Sequence, residues 1–360
     1  MESQSEQDIA SKSSIDSIIG ESRGARNEIT AESLTTFLKA QNGISDDVFV
    51  SDVRSVGENA GASSGSLIFE GVFSGGAKAR YLIKYDPQSP MAPFHQYDMA
   101  AQYHVQQALH ESGVLTPKPL WFDADGSMLG TPGYVMEFIE AESPAASAYT
   151  NGLMADAAPA RRTAMTVEAV TALASMHDVD WVGQKLDFLL RRAAGETSIS
   201  RDINWILDMV HYNQMHDKRI ERAAAKLIAD QPQGVGDVLI HGDSKFDNFL
   251  FVDDKVIAVI DFENSTIAPR EHDLAYNVFT SECMSWGLER PDGFLSEEEM
   301  CAAYEKASGH QLRHWDYFMK LNRFKFSAFI LSYTARMPGV QEQNPDFYAY
   351  FWDHIEKLGG

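Results

Sequence analysis

The run LIHGDSKFDNFLF, residues 239–251, sets a histidine, a lysine, an asparagine and two aspartates between apolar residues. A second acidic turn, Asp261-Phe262-Glu263, closes the apolar run 256–260. These residue types point to phosphate chemistry with a hard cation. Magnesium takes oxygen ligands, keeps several waters and binds through substrate phosphates. Asn248 and Asp261 offer oxygens of that kind and are the ligands we select. Asp243 is then left to accept a proton from a substrate hydroxyl. Lys245 is placed to stabilise charge on a phosphoryl group in transit. Taken singly, each residue has a plainer role: a turn aspartate bonding its own backbone, a strand-end cap, a structural amide, a solvated lysine. The set, rather than any member, carries the chemical reading.

Such groups need strands and turns to hold them. Short apolar runs at 238–240, 249–252 and 256–260 read as three strands separated by turn residues. On that reading Asp243 and Asp261 end neighbouring strands, with Asn248 between them. Upstream, 48–56, 66–73 and 79–85 read as an antiparallel meander whose first turn, 57–65, is a loop of small residues carrying Gly57, Gly61 and Gly65. A helix over 31–42 precedes the meander. Another, over 95–112, follows it, with Gly113 as its stop. A strand pair is expected at 120–123 and 134–139. The polar, small-residue stretch 140–152 marks a boundary, beyond which helical periodicity dominates at 159–177, 203–229 and 314–336. This gives an α+β chain with a tail over 1–25, a β-rich amino-terminal lobe over 26–139 and a mostly helical carboxy-terminal lobe over 140–360.

Composition narrows the partners. The chain has 360 residues, of which 44% are apolar, enough for a two-domain core. Its 52 acidic and 30 basic residues give a formal charge of −22, which repels nucleic acid and anionic lipid, so neither is an expected partner. No run reaches the roughly 18 apolar residues of a membrane helix. The first 25 residues are Ser-rich and polar, lack the basic start and apolar block of a secretory signal, and read as a disordered or loosely attached tail. Two cysteines, Cys283 and Cys301, fit ordinary reduced thiols and a cytoplasmic location. Without a heptad pattern, a monomer and a modest dimer fit equally.

The ordered motifs carry a resemblance. His241-Gly242-Asp243, four residues, Asn248, then Asp261-Phe262-Glu263 are similar to the catalytic and metal loops of kinases. Glycine after the histidine and glutamate after the phenylalanine resemble the aminoglycoside phosphotransferase family, with its choline-kinase-like relatives. Leu173-Ala174-Ser175-Met176-His177, Asp273-Leu274-Ala275, Tyr81-Leu82-Ile83-Lys84 and Tyr134-Val135-Met136-Glu137-Phe138 match further motifs of that family, in order over roughly 30–336. The resemblance implies a two-lobed protein-kinase-like fold. Its amino-terminal lobe is a small antiparallel sheet with one main helix, and its carboxy-terminal lobe is larger and mostly helical. It also implies ATP and Mg2+ as cofactors and a small-molecule acceptor bearing a hydroxyl. Lys84 would then contact the α- and β-phosphates, and the loop of Gly57, Gly61 and Gly65 would lie over them. Backbone groups near Glu137 and Ile139 would meet the adenine, Asp243 would be the base, and Asp273 would brace the catalytic loop. His241 and His177 would be structural.

The sequence also departs from the pattern. Gln102 occupies the helix position that usually supplies a glutamate partner for the lysine. Ala268-Pro269-Arg270-Glu271-His272 replaces the usual Gly-Asp-Pro before the closing aspartate. A nucleotide-binding protein of this fold with little catalysis therefore stands beside the kinase reading. The aromatic stretch 315–333 has helical spacing and reads first as core. Glu297-Glu298-Glu299 reads as a solvated helix start.

Overall fold

The computed structural model of the chain describes residues 29–56, 64–89, 91–94, 97–285 and 288–359. The expected tail at 1–25, and Gly57 and Gly61 of the expected phosphate loop, lie outside the described residues. The chain divides into two compact units, Met1–Gln107 with Pro117–Glu140, and Ala108–Thr116 with Ala141–Gly360.

In the first unit, α1 (Ala31–Lys39) begins at a capping box, in which Thr30 and Ser33 each bond the other's backbone N–H. Its apolar spacing turns Leu34, Phe37 and Leu38 inward, all fully buried. Five strands follow: β1 (Phe49–Ser55), β2 (Gly65–Val72), β3 (Lys78–Tyr85), β4 (Pro119–Asp123) and β5 (Gly133–Glu137), in the order β1-β2-β3-β5-β4. Every neighbouring pair is antiparallel. Leu34, Phe37 and Leu38 pack with Val48, Phe69, Ile83 and Val135 from one face of this sheet. Burying each such side chain is worth about 1.5–3 kcal/mol. The helix expected over 95–112 is α2 (Met99–Glu111), and Gly113 follows it at φ 81°. The strand expected at 134–139 stops at Glu137.

The second unit is largely helical: α3 (Gly152–Ala155), α4 (Pro159–His177), α5 (Ser198–Tyr212), α6 (Lys218–Ala229), α7 (Arg270–Met284), α8 (Glu297–Ser308), α9 (Trp315–Thr334), α10 (Val340–Gln343) and α11 (Pro345–Gly359). The single helix expected over 203–229 is two. Gln214 takes φ 61°, and Asp217 caps the new helix by accepting from the Arg219 N–H.

The island at 238–261 also pairs differently from expectation. Strand β7 (Phe249–Val252) forms a hairpin with β8 (Lys255–Val259), turning at Asp253 and Asp254, both at positive φ. Strand β6 (Asp237–Ile240) instead pairs with β9 (Thr266–Pro269), four residues for which no strand was expected. Asp243 and Asp261 therefore end strands of two separate two-stranded sheets. Helices α7 and α9 are buried along most of their length and pack against each other, and α7 also packs against the β6–β9 sheet.

Candidate active site

The loop after β6 is fixed from below by one carboxylate. Asp273, near the start of α7, is fully buried. Its Oδ2 accepts from the His241 N–H at 2.6 Å and its Oδ1 from the Gly242 N–H at 2.9 Å. His177, at the end of α4, brings Nε2 to 3.1 Å from Oδ2, and its Nδ1 lies 2.6 Å from the Tyr304 hydroxyl. Burial alone would raise this carboxyl's pKa. The bond from His177 and that from the His241 N–H outweigh it and hold the group well below the usual carboxylate range. The Asp273 carbonyl accepts from Ser244 Oγ at 2.6 Å, and Asn277 Nδ2 donates to the Ser244 carbonyl.

His241 works by geometry. Its Nδ1 accepts from the Asp243 N–H at 3.2 Å, which leaves the proton on Nε2, 2.8 Å from the Ile260 carbonyl. The ring therefore ties the Asp243 loop to the segment carrying Asp261, and it packs on Phe262 with centroids 5.3 Å apart. Gly242 sits at φ 78°, where a Cβ would meet the Asn264 carbonyl oxygen at 2.1 Å, so only glycine fits between the two loops.

Above this frame the polar groups converge. Asn248 Nδ2 donates to the Asp243 carbonyl at 2.6 Å and lies 3.3 Å from its Oδ2. Both contacts use the amide nitrogen, so the side chain is oriented with Oδ1 as its remaining polar atom. Lys245 Nζ stands 3.5 Å from Asp243 Oδ2 and 3.4 Å from Asp247 Oδ2. Burial opposes the lysine charge, but Asp243, Asp247 and Asp261 together hold the ammonium well above its ordinary range. Asp261 lies at φ 70° and ψ 63°, a left-handed conformation that costs a non-glycine residue roughly 1–2 kcal/mol. Strain at the residue selected as a metal ligand is a common mark of a functional loop.

Of the remaining site residues, Lys84 lies in β3, buried, with Ser66 and Tyr134 as its cross-strand neighbours. Gly65 opens β2 opposite Tyr85, and a Cβ there would meet the Tyr85 ring at 2.3 Å. Close packing of that ring thus requires the glycine. Glu137 ends β5, exposed, with its N–H donating to the Lys118 carbonyl, and the half-buried Ile139 follows. Gln102 on α2 is 3% exposed, and its Oε1 is buried with no hydrogen-bond partner among the described residues. The structure thus gathers Asp243, Lys245, Asn248 and Asp261 on two loops of the second unit, whereas Lys84, Gly65 and Glu137 belong to the sheet of the first, and Ile139 follows its strand β5.

The pattern is matched elsewhere. Residues 67–315 match the model of the phosphotransferase enzyme family, well over half of the chain. The chain belongs to that family. Among solved structures, this phosphotransferase family member is similar to a putative aminoglycoside phosphotransferase from Ralstonia eutropha JMP134. The two share 20% identity at a TM-score of 0.67, covering 92% of this chain and 97% of that one. It is also similar to an ethanolamine kinase from Plasmodium vivax, at 14% identity and a TM-score of 0.58, covering 89% and 84% of the two chains. These likenesses show the fold, which is α+β and protein-kinase-like. Among relatives by sequence, it is 28% identical over 267 residues to acyl-CoA dehydrogenase family member 11 of Rattus norvegicus, covering 70% of this chain and 33% of the relative. It is 26% identical over 307 residues to the probable acyl-CoA dehydrogenase IBR3 of Arabidopsis thaliana, covering 77% and 35%. The chain thus spans about a third of the length of these relatives.

Sequence reasoning missed three residues of this family member's site. Asp247 bonds Lys245 while its Oδ1 is buried with no partner among the described residues. Burial, partly offset by Lys245, raises its carboxyl. Its only local signal was adjacency to Asn248. Tyr276 on α7 turns its hydroxyl toward Asp243, and Lys325 on α9 reaches the Gly242 carbonyl at 3.0 Å. Neither carried a signal, because each arrives from a separate helix.

Proposed function

We propose that the chain is an ATP-dependent small-molecule kinase that transfers the γ-phosphate of ATP to a hydroxyl of a small acceptor. The observation that carries this reading is the Asp243 carboxylate, held at 3.3 Å by Asn248 and 3.5 Å by Lys245 on a loop anchored through Asp273. Asp243 accepts the hydroxyl proton as the acceptor oxygen bonds to the γ-phosphorus and the bond to the leaving ADP oxygen breaks. Lys245 offsets charge on the phosphoryl group in transit.

The donor set fits magnesium. Asn248 presents an amide oxygen whose orientation is fixed by its nitrogen contacts, and Asp261 supplies a carboxylate held in a strained turn. Among the described residues no three His, Cys, Asp or Glu side chains gather as a metal centre of their own. A magnesium ion carried in on phosphates needs only one or two protein carboxylates or amides. When bound, the ion neutralises phosphate charge. The family motifs assign Lys84 to the α- and β-phosphates, Gly57, Gly61 and Gly65 to the covering loop, and the backbone near Glu137 and Ile139 to the adenine.

Asp243→Asn is expected to keep ATP affinity while transfer to an acceptor panel falls about 100-fold or more, the scale of a lost general base. Turnover equal to wild type would remove Asp243 from the mechanism. The alternative, a nucleotide-binding protein with little catalysis, draws on Gln102, whose buried amide cannot neutralise a lysine. ATP binding by wild type, with no transfer above the Asp243→Asn level across the panel, would favour it.

A further inference from the structure

Lys325 stands in the middle of α9, 7% exposed and flanked by the buried Phe324 and Phe326. A lysine in such a place needs a reason, because desolvating an ammonium costs far more than burying a methionine of similar length. Among the described residues no carboxylate lies in ion-pair contact with it. Its Nζ donates to the Gly242 carbonyl at 3.0 Å and sits 5.2 Å from the centroid of the Tyr276 ring. Burial pushes its pKa down from the ordinary lysine value. Of the charges that act on it, Asp202 on α5, Asp273 on α7 and Asp243 on the loop favour the ammonium, and Arg191 opposes it. Arg191 is itself committed elsewhere: it donates to the Asn264 carbonyl at 2.9 Å, the oxygen against which Gly242 is packed. Gly242 is thus held through both of its backbone polar groups. Its N–H goes to Asp273 and its carbonyl to Lys325, while Tyr276, under the same ammonium, turns its hydroxyl toward the Asp243 carboxylate.

We propose that Lys325 is a positioning residue for Asp243: its ammonium grips the Gly242 carbonyl and, with Tyr276 beneath it, fixes the direction in which the base points. A neutral donor would suffice to satisfy a carbonyl. A cation adds a field that favours a negative charge on the neighbouring carboxylate, which is the form a base requires. The inference rests on reading Asp243 as the base, and the test separates the two.

Hydrogen exchange on the full chain reads the grip itself. In Lys325→Met, amides of 241–246 should exchange at least tenfold faster, while those of β1, β2 and β3 keep wild-type rates. Magnesium–ATP turnover, followed as ADP release with water as the acceptor, should fall at least tenfold in kcat with KM for ATP within twofold. A core peg alone would not produce that split. Lys325→Gln keeps a neutral donor and serves where the methionine variant fails to fold; it should recover loop protection in part but not kcat. Wild-type exchange over 241–246 in both variants overturns the proposal, whatever the turnover. Asp243→Asn is run in parallel. Wild-type turnover in that variant would sink the assignment of the base and leave the exchange result to decide the grip.

Discussion

Gly242 is the narrowest requirement in the site. At φ 78°, with the Asn264 oxygen 2.1 Å from where a Cβ would be, even alanine must displace backbone on one of two loops. The left-handed conformation costs an alanine about 1–2 kcal/mol, and the overlap adds to that. Gly242→Ala should therefore lose at least about 2 kcal/mol in urea unfolding, and should lower turnover more than its stability explains, because Asp243 moves with it. An unchanged unfolding midpoint would show that the Asn264 segment gives way freely. The polar residues around the glycine were largely legible in the sequence, since His241, Asp243, Lys245 and Asn248 lie within one short loop and their spacing is local. Asp247 was passed over, although it lies in the same loop, because a carboxylate next to a ligand looks like an ordinary turn residue until its burial is seen.

Helices and strands show the same division. The start of α8 was readable from the acidic triplet Glu297–Glu299, and it is capped by Ser296, whose side chain accepts from the Glu299 N–H while Glu299 returns a bond to the Ser296 N–H. Ser296→Ala should cost about 1 kcal/mol of stability by thermal or urea unfolding, with turnover unchanged. The boundary between α5 and α6 was missed because the apolar period continues through it. The break lies in backbone at Gln214 and a cap at Asp217, which periodicity does not record. Strand β9 was missed for a different reason: four residues ending in proline give almost no period, and their partner β6 lies well upstream. The pairing nonetheless matters, because it places the start of α7, and with it Asp273, under the loop that begins at His241.

At the scale of the whole molecule, the acidic balance of −22 makes pH a direct probe of which carboxylates matter. Asp202 and Asp273 are both buried, and burial alone would raise them. Lys325 and His272 acting on Asp202, and His177 acting on Asp273, hold both far below the ordinary carboxylate value instead. Groups depressed in this way stabilise the fold above their unfolded pKa of about 4 and lose that contribution as pH falls through the folded values. His354 adds an earlier window. Burial, then the Arg323 charge, pushes it down from 6.5 to about 4, so its contribution is present above 6.5 and fades as pH drops through that interval. Urea unfolding should thus show stability declining gently from pH 6.5 to 4 and steeply below. His354→Gln should flatten only the first part, and Asp273→Asn only the second. A flat profile down to pH 3 would contradict both assignments.

By itself the sequence pointed to a phosphotransferase and to the fold class. The residue types of the catalytic loop, the Asp261 turn and the alternation of strands and helices are short-range features, and side-chain type and local spacing express them fully. Only tertiary structure decided which groups hold the Asp243 loop. Asp273 reaches His241 across 32 residues of chain and Lys325 reaches Gly242 across 83. Contacts at such separations leave no periodicity in the chain, because they are set by how buried helices pack beneath the loops rather than by anything a neighbouring residue requires.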